Sequence, residues 1–344
     1  MTILTSELKY YKSKSVSDLV TNGGRMSASQ IITNIKNNIF PDVSELNREA
    51  GLVQYRKLFC KNANDAGEIF YASRLHFQTI TPGDDIVYMI EGTQRNTQDD
   101  LTGSEDKYGI GDLNANISAS GTSLEVAAES SSYADIFPDG CTIFISDGVN
   151  YEYHENVTLT STIGNIVKLD LEALDVFVNS FTTANTIVAA VIESGDVEPT
   201  FDSWSETVAG DGTYDTAGYP AVLNNIGAVD EDWTLTFTSA TEFSLTGDTL
   251  GAVDTGDVNT IFSPTNTDFS KPYFVLNANG WSGTFASGDV ITFTTHASSI
   301  PVIHVRVVPA GAAAVANNNY EQVFDGDSAP DITSTSTSTS TTTT

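Results

Sequence analysis

Cysteine, histidine and basic residues are scarce in this 344-residue chain: two Cys, four His and fifteen Lys or Arg. Two cysteines far apart, Cys60 and Cys141, make neither a disulfide framework nor a zinc signature. Both sit in apolar runs (Leu58-Phe59-Cys60 and Cys141-Thr142-Ile143-Phe144), so they read as buried free thiols. No apolar run approaches the roughly 18 residues of a membrane-spanning helix, and the N-terminus MTILTSELKYYKSKS has no apolar core of a leader peptide. Membrane insertion is therefore not expected. Nor does the chain hold a Walker loop, a dinucleotide fingerprint, a nucleophile elbow or a zinc-protease motif. The expectation is a non-enzymatic protein without a cofactor.

The few basic residues are unevenly placed. Twelve lie before residue 108, against fourteen Asp or Glu, a net of −2; Lys168, Lys271 and Arg306 alone follow, against thirty-one acids, a net of −28. A surface this acidic repels polyanions, which argues against direct nucleic-acid binding. The partition suggests a near-neutral part that docks and an acidic part that faces solvent.

Thr, Val, Ile, Tyr and Phe recur in short runs between Gly, Asp, Asn and Ser clusters, which predicts an all-β fold. Strands are expected over 52–61, 68–80 and 85–92, with turn chemistry at Asn62-Ala63-Asn64-Asp65 and Thr81-Pro82-Gly83-Asp84. Three strands do not close a sandwich. The late runs Pro301–Val308 and Tyr320–Phe324 supply the remainder, and Arg306 matches the charge habit of the first third. This predicts a discontinuous Ig-like β-sandwich built from 51–107 and 299–328. Two inserted β-rich modules, 108–195 and 196–298, would leave it and return; such insertions cost little closure entropy. Residues 1–50 read as an N-terminal arm, with a short helix from Ser27 to Asn38 that carries Ile31, Ile32 and Ile35. The Ser/Thr-rich stretch 329–344 cannot bury a core and reads as a disordered tail.

Chemistry-bearing clusters are few. In Tyr151-Glu152-Tyr153-His154-Glu155 a strand would put Glu152 and His154 on one face, here read as a solvated one. Gly210-Asp211-Gly212-Thr213-Tyr214-Asp215 has the composition of a calcium loop but lacks its ligand spacing and terminal Glu, so no metal site is assigned. Trp204 and Tyr214, in a Gly/Asp/Ser-rich stretch, are the candidate glycan contacts. For subunit anchoring the candidates are Arg25, Met26, Ile31, Ile32, Ile35, Phe40 and Pro41, which offer apolar mass with few charges to desolvate.

Two sets of segments resemble structural proteins of tailed bacteriophages. One is Gly23–Ser27, Asn37–Ser44 and Tyr55–Asn62. The other is Trp233–Ser239, Phe262–Asn266, Pro272–Phe274, Gly288–Phe293 and Val307–Gly311. The resemblance implies a virion setting, at the neck, collar or tail, with other virion proteins as partners and a homo-oligomeric state. It brings no catalytic residues. A capsid decoration protein and a host-glycan receptor-binding module are the alternatives.

Overall fold

The computed structural model describes residues 2–328 and the backbone of 340–343. Nearly every element is a strand, and the architecture is an all-β sandwich. The chain divides into two compact units. The larger takes Leu8–Cys60, Tyr71–Asp196 and the chain from Ile300; the smaller takes the residues up to Glu7, Lys61–Phe70 and Val197–Ser299.

In the larger unit, a five-stranded sheet has the order Gly23–Ile31, Leu8–Ser15, Leu52–Asn62, Ser299–Val308, Ile86–Glu91. The early strand around Tyr55 and the late strand around His304 are thus neighbours in one sheet. Val302–Val307 runs antiparallel to Glu91–Ile86, with His304 opposite Met89. Alternation sends Ile303, Val305 and Val307 to one face and His304 and Arg306 to the other. The first face meets Val126, Ile143, Ile145, Val167, Leu169 and Val188 in one continuous core. These come from a ten-stranded sheet that includes Ser123–Ala127, Thr142–Ser146, Ile166–Asp170 and Ile187–Val197. Residues 108–195 are therefore not a separate inserted module. Their apolar strand faces are completed by Ile86, Tyr88 and Ile90, so they fold as one body with the base.

Two expectations for the N-terminal region are overturned. Residues 8–31 form an antiparallel hairpin with Leu8, Tyr10, Tyr11 and Ile31 buried, so the stretch is integral to the sheet and not an arm. The helix expected from Ser27 to Asn38 is absent: Gly23–Ile31 is a strand, and the helix of this region is Glu45–Ala50, capped by Ser44, whose hydroxyl accepts from the Asn47 amide. Gly23 shows why the strand starts where it does. Its φ is +115° and a Cβ there would lie 2.9 Å from the Asn96 carbonyl oxygen, so only glycine fits. Of the tail 329–344, the expected disorder lies outside the described residues, except that Ser340–Thr343 pairs antiparallel with Glu321–Asp327.

The smaller unit holds a sheet ordered Thr200–Thr207, Val290–His296, Glu231–Phe237, Glu242–Gly247, Gly251–Asp257. Period-two alternation in Glu231–Phe237 buries Trp233, Leu235 and Phe237 and turns Asp232, Thr234 and Thr236 outward. Phe243, Phe262, Phe274, Phe285 and Phe293 fill the same core. The Trp233 indole N–H donates to Thr295 Oγ1 at 2.8 Å, which satisfies its only donor inside the core.

Candidate functional site

The larger unit presents a hairpin tip, Val16–Asn22, whose backbone is tied down while its apolar side chains face solvent. Asp18 Oδ1 accepts from Arg56 Nη2 at 2.7 Å and from Gln54 Nε2 at 3.1 Å. Arg56 Nη1 donates to the Ser17 carbonyl at 2.9 Å, and Asn22 Nδ2 to the Tyr55 carbonyl at 2.8 Å. The amides of Gln98 and Asp99 donate to the carbonyls of Asn22 and Val20. Burial pushes the Asp18 carboxyl up, but the Arg56 guanidinium outweighs it and holds the group below its ordinary range. On this fixed loop Val16, Leu19 and Val20 are 47%, 67% and 54% exposed. Large apolar side chains on a rigid, exposed loop are the usual preparation for a partner, because little ordering entropy remains to be lost.

Beside it in the sequence, the nominated anchoring residues separate into two groups. Ile32 and Ile35 are exposed, and Pro41 is at the surface, as docking requires. Ile31 and Phe40 are buried, and Arg25 and Met26 are half-buried within the strand. Phe40 is a core residue with two cations against its ring: Arg306 at 4.7 Å and Arg56 at 5.6 Å. Arg306 Nη2 also donates to the Pro41 carbonyl at 2.8 Å and to Gln54 Oε1. A cleft of about 670 Å³ opens over this group, lined by Ile35, Phe40, Pro41, Asp85, Arg306 and Asn318 among others. Burial lowers the pKa of Arg306 and raises that of Asp85. Sequence reading brought Ile35, Phe40 and Pro41 to one place; it missed Leu19 and Val20, which lie in a turn and carry no periodic signal.

Three of the four histidines, His76, His154 and His304, are buried in hydrogen-bonded networks. Glu152 and His154 do share a face, but it is buried and not solvated, because Asp175–Asn179 cover it. His154 Nε2 meets Glu152 Oε2 at 3.0 Å and Nδ1 meets Asp175 Oδ2 at 2.7 Å, with the ring edge-on to Phe177. Burial pushes the Glu152 carboxyl up, yet donors from the Val178 and Asn179 amides bring it below its ordinary value.

His76 is stacked on Phe144 at 4.2 Å; its Nδ1 lies 3.1 Å from the Phe77 carbonyl and its Nε2 3.0 Å from Tyr153 Oη, which in turn donates to Asp325 Oδ2 at 3.0 Å. Burial pushes His76 down to about 4, despite the Phe77 carbonyl and Asp325. A neutral ring that donates from Nδ1 can only accept at Nε2, so the single Tyr153 proton faces two acceptors. His304 is fully buried, with Nδ1 2.7 Å from Tyr320 Oη, and burial lowers it to about 3. Their hydrogen bonds tie strands together, His76 to Tyr153 and Tyr153 to Asp325.

Of the two glycan candidates, Tyr214 is a core residue and Trp204 is half-buried against the same core. Tyr214 is 4% exposed and its hydroxyl accepts from the Asn277 amide at 3.0 Å. Trp204 packs against Tyr214 (5.2 Å) and Phe293 (5.0 Å), with Nε1 donating to Glu206 Oε1 at 2.9 Å. Burial leaves Tyr214 no free ring face for a sugar. In the calcium-like stretch, Asp211 accepts from the Thr284 amide and Asp215 from the Gly218 amide, as turn residues do. Among the described residues no group of three or more His, Cys, Asp or Glu is placed to hold a metal. Cys60 and Cys141 are buried free thiols, pushed up by burial, Cys141 to about 12.

No family model matches the chain, and no curated protein matches it. Among solved structures, a vicilin from Solanum melongena is 10% identical over 88% of this chain and 85% of its own, with a TM-score of 0.12. The arabinofuranosyltransferase AftD from Mycobacteria is 9% identical over 93% of this chain and 26% of its own, with a TM-score of 0.13. The chain thus spans about a quarter of that enzyme, and neither likeness reaches a level that carries an argument about fold or function.

Proposed function

We propose that this chain is a non-enzymatic structural component of a tailed-phage particle, anchored by its larger unit at the neck, collar or tail, with acidic β-structure facing outward. The observation that carries the docking half of this reading is the hairpin tip: Val16, Leu19 and Val20 stand exposed on a loop held by Arg56, Gln54, Asn22 and the amides of Gln98 and Asp99. Exposed Ile32 and Ile35 extend the apolar contact area. The virion setting rests on the resemblance of the segments named above, which include Tyr55–Cys60 of the same unit. The partition of charge supports an outward acidic face, since a net of −30 favours solvation.

Removing the first 48 residues is not a clean test, because Leu8, Tyr10 and Tyr11 are core residues. Full-length Leu19→Asp with Ile35→Asp is the better probe. Both positions are more than half exposed, so the fold is expected to survive while incorporation into particles is lost. Normal incorporation of a correctly folded double variant would refute the docking reading. Counting copies per purified particle separates a neck, collar or tail ring from a capsid decoration protein, which would be present once per capsomer site.

A further inference from the structure

Residues 8–31 are a cationic island in an acidic chain. Lys9, Lys12, Lys14 and Arg25 stand against one carboxylate, Asp18, and Asp18 is taken by Arg56 at 2.7 Å. Along Leu8–Ser15 the side chains of Leu8, Tyr10, Tyr11 and Ser13 are buried, Lys9 and Lys12 are half-buried and Lys14 is exposed. Among the described residues no ion pair reaches any of these four cations. Gly23–Ile31 is also the outermost strand of its sheet.

The smaller unit has the opposite character. It holds two lysines against seventeen carboxylates. Neither lysine offsets that surface: Lys61 is fully buried, and Lys271 is paired with Asp65 at 2.6 Å. Its outermost strand, Gly251–Asp257, is largely exposed. There Glu242 lies directly opposite Asp257 in register, with Asp254 on the same strand. Local donors hold these carboxylates, Asn259 for Asp257, the Thr255 amide for Asp254 and the Ser239 hydroxyl for Glu242, and among the described residues no ion pair reaches them. The edge therefore keeps its negative charge at neutral pH and attracts a cation supplied from outside.

We propose that the hairpin of one copy docks on the acidic edge Glu242/Asp254/Asp257 of a second copy, with Leu19 and Val20 as its apolar anchor. This rests on the assembly reading above and names one of the partners. The two surfaces differ, so the contact is head to tail and builds a ring or an open chain instead of a two-fold dimer. Charge complementarity sets the partner, and the fixed tip supplies apolar area at low entropic cost. A polyanion such as duplex DNA would compete for the same four cations.

Sedimentation velocity on the full-length protein tests this. Wild type is expected to self-associate, about tenfold more weakly at 0.5 M than at 0.05 M salt, because exposed charges are screened. Lys12→Glu with Lys14→Glu, and separately Asp254→Lys with Asp257→Lys, are each expected to remain monomeric with unchanged melting. Mixing the two variants is expected to restore association, since each reversed surface then meets a reversed partner. Leu19→Asp is expected to weaken wild-type association at both salt concentrations. A monomeric wild type overturns the proposal, as do variants that associate like wild type or a mixture that fails to recover. Binding of duplex DNA without self-association overturns it in favour of a nucleic-acid contact. If self-association is absent while the chain still enters particles, this inference fails and the assembly reading survives.

Discussion

The two units solve the same packing problem with different chemistry. The smaller one has an aromatic core, in which Trp233, Phe237, Phe243, Phe274, Phe285 and Phe293 stack and cross at centroid distances of 3.8–5.5 Å. Its polar requirements are met by a few local bonds such as Trp233 to Thr295. The core shared by the sheets of the larger unit is mainly aliphatic, and beside it His76, His304, Arg56 and Gln322 are buried. The smaller unit buries polar side chains as well, Asn225, Glu231 and Asn266 among them, while the larger unit ties strands together through hydrogen bonds of its buried His76 and Arg56. Specific ties make a well-defined surface, and the candidate docking tip hangs from two of them, Gln54 and Arg56.

The contrast breaks first at Trp233. Trp233→Ala removes the largest buried side chain of the aromatic core and is expected to cost about 3–5 kcal/mol. Thermal melting followed by circular dichroism checks it; a loss under about 1 kcal/mol would mean that this core is not what holds the smaller unit.

Next comes the exception within the smaller unit, Lys61. It is wholly buried 5.5 Å from the Phe269 ring, its Nζ has no hydrogen-bond partner among the described residues, and burial pushes it down to about 7. The unfolded chain therefore holds this proton more tightly than the folded one between about pH 7 and 10.5. Stability should rise across that window as pH rises, and Lys61→Met should stabilise at pH 7 by a few kcal/mol, on the order of the desolvation it removes. Urea unfolding at pH 7 and 9.5 checks both, and a destabilised Lys61→Met variant would show that the amine has a partner.

The larger unit should answer to acid. His76 and His304 have folded pKa values of about 4 and about 3, against an ordinary 6.5. For depressed histidines, stability is complete above about pH 6.5 and is lost as pH falls toward the folded value. His76 alone corresponds to about 3 kcal/mol, because each tenfold weakening of its proton affinity on folding is worth about 1.4 kcal/mol. Denaturant midpoints at pH 7 and 4.5 should differ accordingly, and His76→Phe should flatten the profile. The smallest effect is expected at the surface of the smaller unit: Lys271→Ala breaks the pair with Asp65, which is screened by water, and should leave the melting temperature unchanged.

Much of the fold was legible in the sequence. The runs Leu52–Asn62, Ser299–Val308 and Glu231–Phe237 alternate plainly, and charge habit linked the first and last thirds. The helix expected at Ser27–Asn38 was misread because Ile31, Ile32 and Ile35 also fit a helical face, whereas backbone geometry sends Ile31 inward and the other two out. The 108–195 boundary was misread because charge reports the surface, and the core contacts to Ile86 and Ile303 are invisible in it. Trp204 and Tyr214 looked exposed from their Gly- and Asp-rich surroundings, yet the sheet below them needed aromatic fill. The exposed hairpin tip had no legible signal, since it is held by Arg56 and Gln54 in another strand.

Hydrogen–deuterium exchange on intact particles against the free protein tests the docking account most directly. Amides of 16–22 and 32–35 should exchange more slowly in the particle, while the core strand Glu231–Phe237 is unchanged. Identical exchange of those two segments in both states would contradict it.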